Sequence, residues 1–124
     1  MQPAMLQEIS GVRQNEGEDR RRWFTDAFWD LYLWIDSKDA ISGFQLCYNK
    51  TFDEHALTWR RDGGFSHTRI DDGEFAASSH MTPIMVRDGM FDRDSVAQRF
   101  EVDGAGIDKA VAEFVLEQLS RCQL

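Results

Sequence analysis

Few residues in this chain demand a chemical explanation. The sharpest is Asp30, a carboxylate inside the otherwise apolar run Phe28-Trp29-Asp30-Leu31-Tyr32-Leu33-Trp34-Ile35. Such a group is costly among hydrophobic neighbours unless it is paired, hydrogen-bonded or exposed. Arg69 offers a guanidinium able to hold an acidic group through a forked pair of hydrogen bonds. Tyr32, Gln45, Thr58 and His67 add donors and acceptors. One reading makes these residues a ligand pocket, with Asp30 anchoring a hydroxyl or amine and Arg69 an acidic group. The other makes Asp30 part of an internal network, paired with an arginine or capping exposed amides, as buried polar groups usually are.

Other chemistries find less support. His55, His67 and His80 do not follow a recognised metal-ligand spacing, and no metal is expected. Asp53-Glu54-His55 places carboxylates beside an imidazole, a combination that serves acid–base catalysis in a cleft and is ordinary solvated turn composition elsewhere. The sequence holds no Gly-x-Ser-x-Gly, phosphate loop or dinucleotide fingerprint, and Gly104-x-Gly106 alone is too short to count. Cys47 is expected beside Asp30, which raises its thiol pKa and makes it a poor nucleophile. No catalytic residue and no cofactor are assigned.

The elements that position these groups are read from turns and alternation. Gly63-Gly64 follows Leu57 and Trp59 and precedes Ile70, and glycine accepts the positive φ of tight hairpins. A two-residue loop there pairs Arg60 with His67, Trp59 with Thr68, Thr58 with Arg69 and Leu57 with Ile70, which keeps His55 and His67 apart. The polar segment 49–54 sets Leu46 beside Leu57 and Phe44 beside Trp59. The turn at 36–40 brings Leu33 to Phe44 and Leu31 to Leu46. One face then carries Leu31, Leu33, Ile35, Phe44, Leu46, Leu57, Trp59 and Ile70, a hydrophobic interior whose register a one-residue slip would destroy.

The opposite face carries Tyr32, Gln45, Thr58 and Arg69 in one row, Asp30 beside Cys47 in a second, and Trp34, Gly43, Arg60 and His67 in a third. Trp34 opposite Gly43 suits a guanidinium from Arg60 stacked on an indole. Phe28, Trp34 and Arg60 are the residues expected at an interface, because this face is too aromatic for bare solvent.

Towards the N-terminus, Met5 to Val12 reads as a strand paired with Arg21 to Thr25, and a bulge or short bend at Thr25-Asp26-Ala27 redirects the chain. The Arg20-Arg21-Arg22 run reads as a solvated strand end. Phe75 to Met81 has no period and is expected to be a mobile loop, followed by an extended segment at Thr82-Pro83-Ile84-Met85-Val86. Asp92 or Asp94 is expected to cap a short helix through Phe100. A last helix from about Ile107 to Arg121 presents Ile107, Ala110, Val111, Phe114, Val115 and Leu119 as one stripe.

The 124 residues read as one domain, 1–124, large enough for a core without staples. With 22 acidic against 14 basic residues, a net charge of −8 argues against nucleic-acid or anionic-membrane partners. No run approaches the ~20 apolar residues of a membrane helix. The opening Met1-Gln2-Pro3-Ala4 lacks a signal-peptide pattern, and two widely spaced cysteines read as free thiols, so a cytoplasmic setting is expected.

Arg22-Trp23-Phe24, Phe28 to Ile35, Gly43-Phe44-Gln45-Leu46-Cys47-Tyr48, Ala56-Leu57-Thr58-Trp59 and Thr82-Pro83-Ile84 together resemble small bacterial proteins of unassigned function. The resemblance spans most of the chain and implies no activity, cofactor or site residue. The expectation is therefore an α+β fold, an antiparallel sheet of four to six strands with two C-terminal helices packed on one face. In function it is a non-enzymatic binding or interaction domain, homodimeric through the aromatic face. The alternative is a small enzyme or small-molecule-binding protein with a pocket around Asp30, Tyr32, Gln45 and Arg69.

Overall fold

The computed structural model describes residues 6–50, 53–71, 84–87 and 92–122, with 71 and 84–87 by their backbone. The expected α+β arrangement is present: an antiparallel sheet followed by two helices. Its strands are β1 (Gln7–Ile9), β2 (Arg20–Thr25), β3 (Asp30–Ile35), β4 (Ile41–Tyr48), β5 (His55–Arg60), β6 (Gly64–Asp71) and β7 (Ile84–Arg87). They pair in chain order as a meander; the three-residue edge strand β1 brings the sheet to seven. Helices α1 (Arg93–Asp103) and α2 (Lys109–Arg121) follow, joined through a 3₁₀ turn at Gly104–Gly106. Among the described residues no helix is long and apolar enough to cross a membrane. The expected loop at Phe75 to Met81, and His80 within it, lie outside the described residues.

Register across β3, β4 and β5 follows the hydrophobic alternation: Leu31 meets Leu46, Leu33 meets Phe44, Leu46 meets Leu57 and Phe44 meets Trp59. These residues turn towards the helices, where Phe24, Leu31, Leu33, Phe44, Leu46 and Leu57 are wholly buried. Val96 and Phe100 of α1 and Val111, Val115 and Leu119 of α2 close the core against them. Phe114 meets Phe44 and Trp59 edge-on, with ring centroids 6.5 and 5.3 Å away. Asp92 caps α1 by accepting from the Ser95 amide, and Asp108 caps α2 by accepting from that of Ala110.

Two local expectations are corrected. The Thr25-Asp26-Ala27 segment is not a bulge. Asp26 Oδ1 accepts from the amides of Phe28 and Trp29 at 2.8 and 2.7 Å, closing a tight hairpin that pairs Thr25 with Asp30. Phe28 therefore leaves the strand. It packs against Trp29 and under the Arg99 guanidinium of α1, 3.5 Å from the ring centroid, and is no part of the opposite face. Trp29 is fully buried, and its Nε1 donates to Asp103 Oδ2 at 2.8 Å, pinning the hairpin to the end of α1.

The second correction is the β5–β6 register. The loop is one residue longer than a two-residue hairpin. Arg60 pairs with Gly64, Gly63 N–H donates to the Arg60 carbonyl, and Gly64 takes the positive φ of 76° that bulged three-residue hairpins place after their turn. Pairing becomes Trp59 with Phe65, Thr58 with Ser66, Leu57 with His67, Ala56 with Thr68 and His55 with Arg69. Relative to the expected pairing this is a shift by an odd number of residues, so every β6 side chain changes face. His67 and Arg69 join the helix side, and Ile70 leaves the expected core.

Candidate functional site

The sheet face away from the helices holds Asp30, Tyr32, Gln45 and Thr58, as expected from alternation. It does not hold Arg69 or His67. The proposed pocket thus loses its guanidinium and its imidazole, and Asp30 and Arg69 address opposite sides of the sheet.

Asp30 is 8% exposed and held by the fold through one of its two oxygens. Its Oδ1 accepts from Trp23 Nε1 at 2.9 Å and Thr25 Oγ1 at 2.7 Å, and Lys50 Nζ lies 3.2 Å away. Lys50 also donates to Thr25 Oγ1 and the Asp26 carbonyl. The internal-network reading therefore describes Asp30, with a lysine in place of the expected arginine. Lys50 was legible in principle, as the cation just beyond the strand that carries Asp30's register partner. Its reach across the hairpin was not.

Around this node the face is aromatic. Trp23 is paired with Tyr32 in register, and their rings stack 9° from parallel at 6.0 Å. Alternation within 21–25 puts Trp23 in a strand, but its side follows only from the β2–β3 hairpin, which the Asp26 carboxylate closes where a bulge or short bend is expected from the sequence. Burial pushes the Tyr32 phenol up to about 12, helped by the negative charge of Asp30. Thr58 Oγ1 donates to Gln45 Oε1 at 3.3 Å. Cys47 is buried beside them and its thiol is likewise pushed up to about 12, chiefly by desolvation, with Asp30 a lesser cause than the sequence suggested.

At the end of the face, the Arg60 guanidinium lies 4.4 Å from the Trp34 ring centroid, reaching across Gly43 as expected. A Cβ on Gly43 would come within 3.0 Å of Arg60 Cδ and 2.9 Å of the Trp59 carbonyl oxygen. Arg21 is Trp34's partner on the other side in strand order. Its Nη2 donates to the Arg13 carbonyl at 2.9 Å, its backbone N–H to Gln14 Oε1 at 2.7 Å, and its Nε has no acceptor among the described residues.

On the helix side the corrected register assembles something the sequence reading excluded. His55 and His67 meet, with ring centroids 5.3 Å apart and planes 10° from parallel. Tyr48 joins them: its hydroxyl is 2.6 Å from His67 Nε2, and its ring is nearly parallel to both imidazoles. His67 is 4% exposed, so this is a buried phenol–imidazole pair. The Asp53 carbonyl, 2.8 Å from His55 Nδ1, can only accept, so that nitrogen carries the proton. Among the described residues no group of three or more metal-ligating side chains converges.

No protein-family model matches the chain, and no curated protein or solved structure is significantly similar to it. The functional reading rests on the geometry of the two faces.

Proposed function

We propose that this protein is a non-enzymatic interaction domain that engages a protein partner through the sheet face opposite its helices. The observation that carries the reading is the cluster of Trp23, Tyr32 and Trp34 on that face, only partly buried, with no helix among the described residues packed over them. Aromatic side chains supply large contact area at small entropic cost and are enriched where proteins meet. Asp30 and Thr58 among them already have partners within the fold: Asp30 in Lys50, Thr25 and Trp23, and Thr58 in Gln45. That disfavours the competing reading of a small enzyme with a pocket at Asp30, which would need groups available to a substrate.

Photo-crosslinking tests the reading, with benzoylphenylalanine introduced at position 32 or, as a control, at the exposed Glu117 on α2. Discrete adducts in cells from position 32 and none from position 117 are expected. Equal labelling from both positions overturns it. Light scattering at high concentration separates a second copy of the chain, the partner expected from sequence, from a different protein.

A further inference from the structure

We infer that the partner of this face is an acidic protein segment, whose carboxylates are taken by the guanidiniums of Arg21 and Arg60 on either side of Trp34. The inference rests on the reading of the sheet face as a contact surface and names what that surface recognises.

Charge distribution carries it. The chain is strongly acidic, at −8, and most of its described arginines off this face hold carboxylates: Arg20 with Asp39, Arg22 with Glu8, Arg61 with Asp36, Arg99 with Asp103 and Arg121 with Glu117. Among the described residues Arg21 and Arg60 have no carboxylate partner; nor do Arg13, whose carbonyl holds Arg21, and Arg69, which lies on the helix side of the sheet. Asp30, the carboxylate of this face, is already occupied by Lys50. The aromatic surface therefore ends in two cations that no carboxylate among the described residues compensates, in a molecule with carboxylates to spare.

Both are also held in place. Arg60 is exposed, yet its guanidinium is held over the Trp34 indole, 4.4 Å from the ring centroid. Arg21 is tethered by the Arg13 carbonyl. Such prior ordering lowers the entropy lost on engaging a carboxylate, by a fork from Arg60 and by the remaining Nη1 of Arg21, whose Nε is buried and whose Nη2 holds the Arg13 carbonyl.

The competing occupants fit less well. A two-fold pairing of this face with a second copy would bury the guanidiniums of both copies in one interface in which Asp30 is already taken by Lys50, and burying unpaired charge is costly. A nucleic-acid strand needs a track of cations following its phosphates, which two guanidiniums at one end of the face of an acidic protein do not supply. An acidic segment needs one or two cations beside an apolar floor, which is what this face offers.

The test is an NMR titration of the nitrogen-15-labelled protein with hexaglutamate peptide at low ionic strength, following the indole N–H signals. A saturable shift of Trp34, without one at the buried Trp29, is expected. Arg60→Gln is expected to weaken binding about fivefold or more, and Arg60→Lys to restore only part of it, because lysine keeps the charge and loses the fork. Arg61→Gln, next in the chain but already paired with Asp36, should leave binding within about twofold. No saturable shift at Trp34, or an equal loss in Arg61→Gln, overturns the inference. Stronger binding of hexathymidylate at Trp34, or a dimer dissociated by Tyr32→Glu, also overturns it. These last two outcomes leave the face as a contact surface, which the crosslinking from position 32 tests separately.

Discussion

The Tyr48 hydroxyl lies 2.6 Å from His67 Nε2, joining β4 to β6 across the intervening strand β5, with the His55 ring of that strand nearly parallel to both. A hydrogen bond of this kind exists only in the observed β5–β6 register, so it reports on that register directly. Tyr48→Phe keeps the ring and removes the hydroxyl, and should cost about 1 kcal/mol of stability in urea denaturation. A double-mutant cycle with His67→Phe should return coupling of at least about 0.5 kcal/mol. Additive losses would show that the two side chains do not meet.

Asp30 and Lys50 form a largely buried pair, with side-chain exposures of 12% and 29%. Asp30→Ala leaves the ammonium without its carboxylate and frees the Trp23 indole N–H, so a loss of about 2–4 kcal/mol is expected. The experiment is equilibrium unfolding monitored by tryptophan fluorescence. A loss below about 0.5 kcal/mol, the level of an exposed ion pair, would contradict the network described here.

Gly43 has no room for a side chain, because both the Trp59 carbonyl oxygen and Arg60 Cδ stand within 3.0 Å of a Cβ built there. Gly43→Ala should cost about 1–3 kcal/mol as the backbone contact forces the strands to shift. Arg60 should move off Trp34 with it, seen as a change in the Trp34 indole shift. An alanine variant with unchanged melting temperature and indole spectrum would refute this.

Tyr32 has its phenol pushed from the ordinary 10.0 up to about 12. The neutral form is favoured in the folded state, so this stabilisation is fully present below pH 10 and is lost as pH rises from there towards 12, the unfolded chain ionising first. An ultraviolet titration of the wild type minus Tyr32→Phe should show the phenolate appearing near pH 12 in the folded protein. Ionisation near 10 would mean that Tyr32 is solvated.

Much of this architecture is legible in one dimension. Leu31, Leu33, Phe44, Leu46 and Leu57 alternate with polar or small residues, and only one relative register of β3, β4 and β5 buries them all. The same alternation put Asp30, Tyr32, Gln45 and Thr58 on one face, and the spacing of Val111, Val115 and Leu119 marked the stripe of α2 that covers the other. The opposition of Trp34, Gly43 and Arg60 followed from the same parity.

The β5–β6 hairpin is where local pattern ceased to decide. Gly63-Gly64 fits a two-residue turn and a bulged three-residue one equally, and strand β6 reads Phe65, His67, Arg69 on one side and Ser66, Thr68, Ile70 on the other, with an apolar residue in each set. What selected the longer loop was packing: Phe65 beside the core at Trp59, and His67 within reach of Tyr48 two strands away. The amino-acid pattern by itself determined the strands, the helices and the side that holds the core, because periodic burial is a local property. The tertiary structure alone decided that Arg69 leaves Asp30 and that Lys50 answers it. It also brought His55 to His67 and set Arg21 and Arg60 on either side of Trp34 with no carboxylate among the described residues, because each of these depends on which distant chain segment arrives alongside.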